Sequence, residues 1–434
     1  MSLTNPDHVV TKQRLADFYQ GILPYLGAPE VVRPTVYGIH ITNSESDPDA
    51  KVQYIADAAN MTPAHMDFTN DVFDYGSWSN AFFMPKPCML KYDGTVDYYL
   101  DPSDYTKKVD GTASDVANTS YEGNAMMEWP KIWLKIVPEG TGGKSASIYI
   151  SNENADGMFT DWNYHNASGQ SKDHFYTAIY NGSLISNKLR SISGHQVMSN
   201  KTAQQEMDYA AANNPSGSYI WTTTTVTDMD LINFLLILMC KSTRVTSKYG
   251  LGLITGGTES INNSFRTGVH NTKGLFYGTN NGTASTYTNA VKVFGMENWW
   301  GFNFKRYSGE IIDNGTRKRK LTYGQEDGST VTGYNVTGNG YVTSNVDNFS
   351  GTSGGYLKEC IFTNQGMFPT VVGGTNTTYY CDKVSFLTNG VIVPFFSSAS
   401  TSNDGAGPFF HGYNVIASNP SWAMGANLSA RPLI

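Results

Sequence analysis

Gly295-Met296-Glu297-Asn298-Trp299-Trp300-Gly301-Phe302-Asn303-Phe304 sets aromatic side chains between glycines, amides and small residues. In extended backbone successive side chains point to opposite faces, so part of such a block must face inward. Trp299, Phe302 and Phe304 are therefore expected to be mainly structural. The same alphabet returns later, in Pro394-Phe395-Phe396-Ser397-Ser398, Phe409-Phe410-His411-Gly412-Tyr413-Asn414 and Pro420-Ser421-Trp422-Ala423-Met424. Aromatic anchors beside Ser and Asn combine buried area with adaptable hydrogen bonding, which is how binding surfaces are made. The polar members of residues 390–434 are expected to be exposed.

The rest of the chain supports that emphasis on display. It has 434 residues, of which 40% are hydrophobic and 13% aromatic, enough for a sizeable core. Only 15% are charged, well below the usual quarter. Asn, Ser, Thr, Gly and Tyr fill the gap, a composition suited to strands joined by long polar loops. The net charge of −7 leaves no basic stripe for a phosphate backbone, so no nucleic-acid partner is expected. The dense basic run Arg317-Lys318-Arg319-Lys320 follows the turn Asp313-Asn314-Gly315 and reads as a solvated hairpin arm. The start Met1-Ser2-Leu3-Thr4 shows no signal peptide. The longest apolar run, Leu235 to Cys240, is too short to span a bilayer, so no membrane insertion is expected. Cys240 reads as a buried thiol, while pairing of Cys360 with Cys381 stays open.

Periodicity gives a coarse map. Residues 7–27 look helical through Leu15, Phe18, Tyr19, Ile22 and Leu26, and serve either docking or self-association. Tyr37–Ile41, Ala81–Met84, Cys88–Tyr92, Trp129–Ile136 and Ala146–Ile150 read as strands. Pro138–Gly143 reads as a hairpin connection, and Lys51–Ala59 as weakly helical. Thr202–Ala212 is expected to be helical. A second helix, N-capped by Thr227 and running to Cys240, is apolar nearly all round and should be buried.

The chemical motifs fail one by one. Gly140-Thr141-Gly142-Gly143-Lys144-Ser145 ends like a phosphate loop but leads into a strand, so no helix N-terminus faces a phosphate. Asn152–Gly157 approaches a calcium loop, but a strand precedes it and its twelfth position is Asn163. No two of the eight histidines stand at H-x-H or H-x-x-x-H spacing. No G-x-S-x-G elbow or marked cysteine nucleophile is present. No catalytic residue, cofactor or metal is expected, and the chain is not expected to be an enzyme.

The opening block resembles the G-x-E-N-x-x-G-N-x-W segment of the formylglycine-generating-enzyme-like branch of C-type lectin folds. Trp422-Ala423-Met424-Gly425-Ala426-Asn427-Leu428-Ser429-Ala430-Arg431-Pro432 resembles that branch's closing strand. Phe395 to Met424 is similar to the hypervariable region that variable proteins of diversity-generating retroelements carry before this strand. Its scaffold positions would be Gly405, Gly407, Pro408, Phe409, Asn419, Pro420 and Trp422. Leu15–Gly27, Met126–Lys131 and Leu189–Gly194 resemble tail proteins of gut phages and prophages. Phe304 departs from the family's Trp. The paired cysteines of the oxidase and the lectin calcium motifs E-P-N and W-N-D are absent.

The resemblance implies an α+β, C-type-lectin-like fold, large and loop-rich, with a short N-terminal helix. Residues 1–30 would form a helical docking or oligomerisation segment. Residues 31–434 would form the elaborated lectin-like domain, with an inserted β-rich region over about 80–145 and a variable ligand-binding region over about 390–430. Phe395, Phe396, Ser397, Ser398, His411, Tyr413, Asn414, Ser421, Trp422 and Met424 would contact the ligand. The partners implied are a host cell-surface protein or glycan, other tail subunits, and further copies of the chain in a trimer. The location implied is a virion tail or bacterial cell surface. A purely structural tail subunit is the second reading and a formylglycine-type or glycan-degrading enzyme the third.

Overall fold

The computed structural model of the chain describes residues 33–432, apart from 167–168, 324–329, 332, 347–348, 350–353 and 388; of Asp404 it describes the backbone alone. The segment 7–27 and the unit 1–30 lie outside the described residues. Strands dominate, helices are few, and long loops connect them.

Val36–Ile41 pairs antiparallel with Val52–Ala56 on one side and with Ser145–Ser151 on the other, and Ser145–Ser151 continues to Trp133–Glu139. Ile39, Ile41, Ile148 and Ile150 share one face of this sheet and are buried, the alternation that a half-covered sheet requires. Residues 138–143 are its hairpin connection, and Gly140–Ser145 is a turn entering a strand. Lys51–Ala59 corrects the helical expectation: Val52–Ala56 is a strand, because a ready edge partner outweighs weak local propensity. Ala81–Met84 forms turns that seat Phe83 in the core. The expected strand Trp129–Ile136 breaks in two. Gly123–Pro130 belongs to a different, seven-stranded sheet, and Pro130 supplies no N–H to carry a ladder onward.

That second sheet runs in the order Trp221–Thr223, Leu428–Ala430, His174–Ala178, Gly123–Pro130, Lys86–Lys91, Val96–Asp101, Asp104–Lys108. A third, also seven-stranded, runs Gly366–Val372, Gly355–Thr363, Lys383–Phe386, His411–Tyr413, Phe395–Phe396, Phe304–Arg306, Met424–Gly425. It carries the opening block's end together with the later aromatic stretches.

Helix α1, Ala203–Ala211, starts at a capping box between Thr202 and Gln205. Helix α2, Val226–Cys240, is buried at every residue. Its N-cap is Thr225, boxed with Asp228, rather than Thr227. The polar side chains of α2 tie distant segments together. Asp228 accepts from Arg431 (2.7 Å), Ser429 Oγ (2.8 Å) and Asn163 (2.9 Å). Asp230 accepts from Arg319 (2.9 Å), and Asn233 accepts from Trp299 Nε1 and donates to the Pro408 carbonyl, both at 3.0 Å.

Arg317–Lys320 corrects the solvated-arm expectation. The hairpin forms between Glu310–Asp313 and Thr316–Arg319, but Arg317, Arg319 and Lys320 are buried. Arg319 lies between Asp230 and Glu310, so its charge is paired on two sides. Arg317 donates to the Pro369 carbonyl and faces the Tyr413 ring at 4.9 Å. All four cysteines are free and buried, so Cys360 and Cys381 do not pair. Among the described residues no helix is long and apolar enough to cross a membrane.

Candidate ligand-binding surface

The third sheet brings the aromatic stretches side by side. Lys305 pairs with Phe396 and Arg306 with Phe395, antiparallel, while Phe304 pairs with Met424 in parallel register. Phe395 and Phe396 pair in turn with Gly412 and His411. The rings follow the register: Phe304 lies 4.8 Å from Phe395 and 5.3 Å from Phe410, and Trp299 lies 4.8 Å from Phe396. Gly412 is required here, because a Cβ would meet the Phe395 ring at 1.8 Å.

Proximity is not exposure. Phe395, Phe396, Ser397, Ser398, His411, Tyr413 and Met424 are all at most 2% exposed, which corrects the expectation that they face solvent. Both faces of this part of the sheet are covered, so alternation sends neither set outward. Ser398 Oγ accepts from the Gly301 N–H (3.0 Å), and Ser397 Oγ accepts from Lys305 Nζ (3.3 Å). These hydroxyls hold the opening block rather than a ligand. His411 stacks on Tyr413 with parallel rings, and burial pushes its imidazole down to about 3, so it is neutral. Lys305 also donates to the Asn303 carbonyl (3.0 Å), and burial lowers its ammonium to about 7. Trp299 and Phe302 are buried as expected, and Phe304 is half-buried.

Of the expected scaffold positions, Gly405, Gly407, Pro408 and Phe409 are buried. The Asp382 carboxylate, which accepts from the Phe409 N–H (2.8 Å), would lie 2.4 Å from a Cβ at Gly407. Asn419 and Pro420, expected as scaffold, are exposed instead.

The surface lies in the loop from Asn414 to Trp422. Asn414, Ser421 and Trp422 are partly exposed; Ile416 is 42% exposed, and Ser418, Asn419 and Pro420 are exposed. The backbone beneath them is fixed from separate elements. Ala417 N–H donates to the Val391 carbonyl (3.0 Å), and its carbonyl accepts from Ala203 at the start of α1 (2.9 Å). The Ser421 carbonyl accepts from Asn200 (2.9 Å). Arg306, in the sheet, donates to the Asn419 carbonyl (2.6 Å), to the Lys201 carbonyl (2.9 Å) and to Glu206 on α1 (3.0 Å). Arg306 and Glu206 are each 2% exposed. Burial pushes the Glu206 carboxyl up to about 7 against the pull of the guanidinium. Ala417 and Val391 also pack with Met207, Tyr334 and Val336 around Ala203, Ile311, Tyr341 and Val393.

Sequence reading missed Arg306, Glu206 and Ile416. The helix over 202–212 was expected, but nothing local marks Glu206 as the partner of a residue so far along the chain. Among the described residues no cluster of His, Cys, Asp and Glu is arranged for a metal. In the calcium-like turn, Asp156 instead pairs with Lys135.

No protein-family model and no curated protein matches the chain. The solved structures that are similar include two described as "Major Tropism Determinant P3c Variant" and "Major Tropism Determinant U1 Variant". The first is 10% identical with a TM-score of 0.26, the second 11% identical with a TM-score of 0.24. Each alignment covers 93% of this chain and 73% of the other. A likeness this low carries no argument about fold or function.

Proposed function

We propose that the chain is a non-enzymatic receptor-binding module of the phage-tail type, presenting residues 414–422 to a molecule on a host-cell surface. The scaffold is read as a C-type-lectin-like domain of the formylglycine-generating-enzyme-like branch. One observation carries the reading: exposed Ile416, Ser418, Asn419 and Pro420, with Trp422 beside them, stand on backbone held by α1, the short strand Val391–Ile392 and buried Arg306. Side chains of this kind on a rigid support are the arrangement of recognition loops. Asn414, Ser421 and Trp422 remain as ligand contacts from the sequence-derived set. The seven buried members of that set act beneath the loop as its support.

The resemblance of 395–424 to a hypervariable region supports a loop whose side chains differ among related chains. The partner is a host cell-surface protein or glycan, and the location a virion tail or bacterial surface. Residues 1–30 would join other tail subunits or further copies of the chain in a trimer. The test is binding of the labelled full chain to a panel of bacterial cells. Trp422→Ala and Ile416→Asp should abolish cell binding while the chain stays folded by circular dichroism, and undiminished binding by both variants contradicts the reading.

A further inference from the structure

A second feature lies at the opposite edge of the third sheet. Gly366–Val372 is one edge strand of that sheet and Met424–Gly425 the other. Beside the first edge opens a cleft of about 890 Å3, walled by the 138–144 turn, residues 344–346 and the hairpin of Gly355–Thr363 with Gly366–Val372. That volume falls within the range of about 300–1,000 Å3 typical of small-molecule sites. The phosphate-loop-like sequence is part of this wall. Gly143 has φ +70°, and a Cβ there would lie 2.8 Å from the Phe362 carbonyl oxygen, so glycine lets the turn close onto the hairpin.

The lining has a definite chemistry. Asn345, Thr363, Asn364, Gln365 and Thr370 bring amides and hydroxyls, while Pro138, Ile361 and Val371 bring apolar surface. Among the described residues its one cation is Lys144, which pairs with Glu359 at 2.6 Å. Gln365 is anchored by its backbone: its N–H donates to Thr363 Oγ1 (2.9 Å) and its carbonyl accepts from buried Arg319 (2.7 Å). Its side-chain oxygen Oε1 is buried and accepts no hydrogen bond among the described residues.

We propose that this cleft binds a neutral oligosaccharide. A sugar ring offers C–H faces to Ile361, Val371 and Pro138, and hydroxyls to the amides and threonines. With Lys144 already paired, the described lining holds no surplus positive charge to favour a phosphate, sulfate or carboxylate. The proposal does not depend on the 414–422 loop, and either can fail without the other.

The experiment applies the full chain to a printed array of neutral, sialylated and sulfated glycans, then titrates a retained neutral glycan in solution. Asn364→Ala removes an exposed amide of the turn, and Thr370→Arg fills the cleft. Each should weaken binding about tenfold or more, while Trp422→Ala changes it less than about twofold. Retention of acidic glycans only, or of none, overturns the proposal. So does a neutral glycan whose affinity survives Asn364→Ala and Thr370→Arg, or falls only with Trp422→Ala. Asn364→Ala keeps the test decisive if Thr370→Arg fails to fold.

Discussion

Residues 295–304 and residues 414–422 are written in one alphabet and meet opposite fates. Each has tryptophan, asparagine and small residues, and they end beside each other in one sheet through the Phe304–Met424 pairing. In the first, side chains bond inward: Trp299 reaches Asn233 on α2, and Asn303 accepts from Asn181 at 2.9 Å. Positive φ at Asn298 and Phe302 bends the backbone onto the core. In the second the backbone does the bonding, through the carbonyls of Ala417, Asn419 and Ser421, and Ile416 to Pro420 stay at the surface except for half-buried Ala417. Residue type therefore does not separate scaffold from display. The division lies in which groups, side chain or main chain, are consumed by the fold.

The sharpest contrast comes from one substitution made on both sides. Trp299→Ala should cost about 3–5 kcal/mol, as for a fully buried large side chain, and Trp422→Ala no more than about 2 kcal/mol. Denaturant midpoints decide it, and equal losses would erase the distinction. Arg306→Ala attacks the join between the two regions. It leaves Glu206 buried without its partner and releases the Asn419 carbonyl, so a loss of about 3–5 kcal/mol is expected. It should also speed amide exchange in residues 414–422, and a loss confined to α1 would show that the loop is held some other way.

A smaller effect reads the same join through pH. The Glu206 carboxyl sits at about 7 in the folded chain, against an ordinary value near 4.5 when unfolded. Between these values the folded state holds the extra proton, so this group's contribution is full below about 4.5 and is lost as pH rises through about 7. Glu206→Gln, which keeps an acceptor for Arg306, should flatten the change in urea midpoint between about pH 5 and about pH 8. An unchanged slope would place the titration elsewhere. The smallest expected effect is Ser418→Ala, within about 0.5 kcal/mol of the parent because the side chain is exposed.

What the sequence made legible follows the range of the interaction. The strands around Ile39 and Ile148, the hairpin at 138–143, the helical character of α1 and the buried character of α2 rest on neighbours a few residues apart. The N-cap of α2 was misplaced because Thr225 and Thr227 each stand three residues before an aspartate, and only the fold selects Asp228. Arg317 and Arg319 read as solvated because their partners Asp230, Glu310 and the Pro369 carbonyl come from other elements. The aromatic stretches stood out in the sequence, and the third sheet brings them side by side. Their burial was not legible, since alternation marks an outward face only when one side of a sheet is open.

The most direct test of this division is the per-codon variation of the locus across many isolates. Substitutions should concentrate within residues 414–422, with Phe395, Phe396, Ser397, Ser398, His411, Tyr413 and Met424 constant beneath them. Variation spread evenly along the chain, or concentrated at those buried positions, would contradict it.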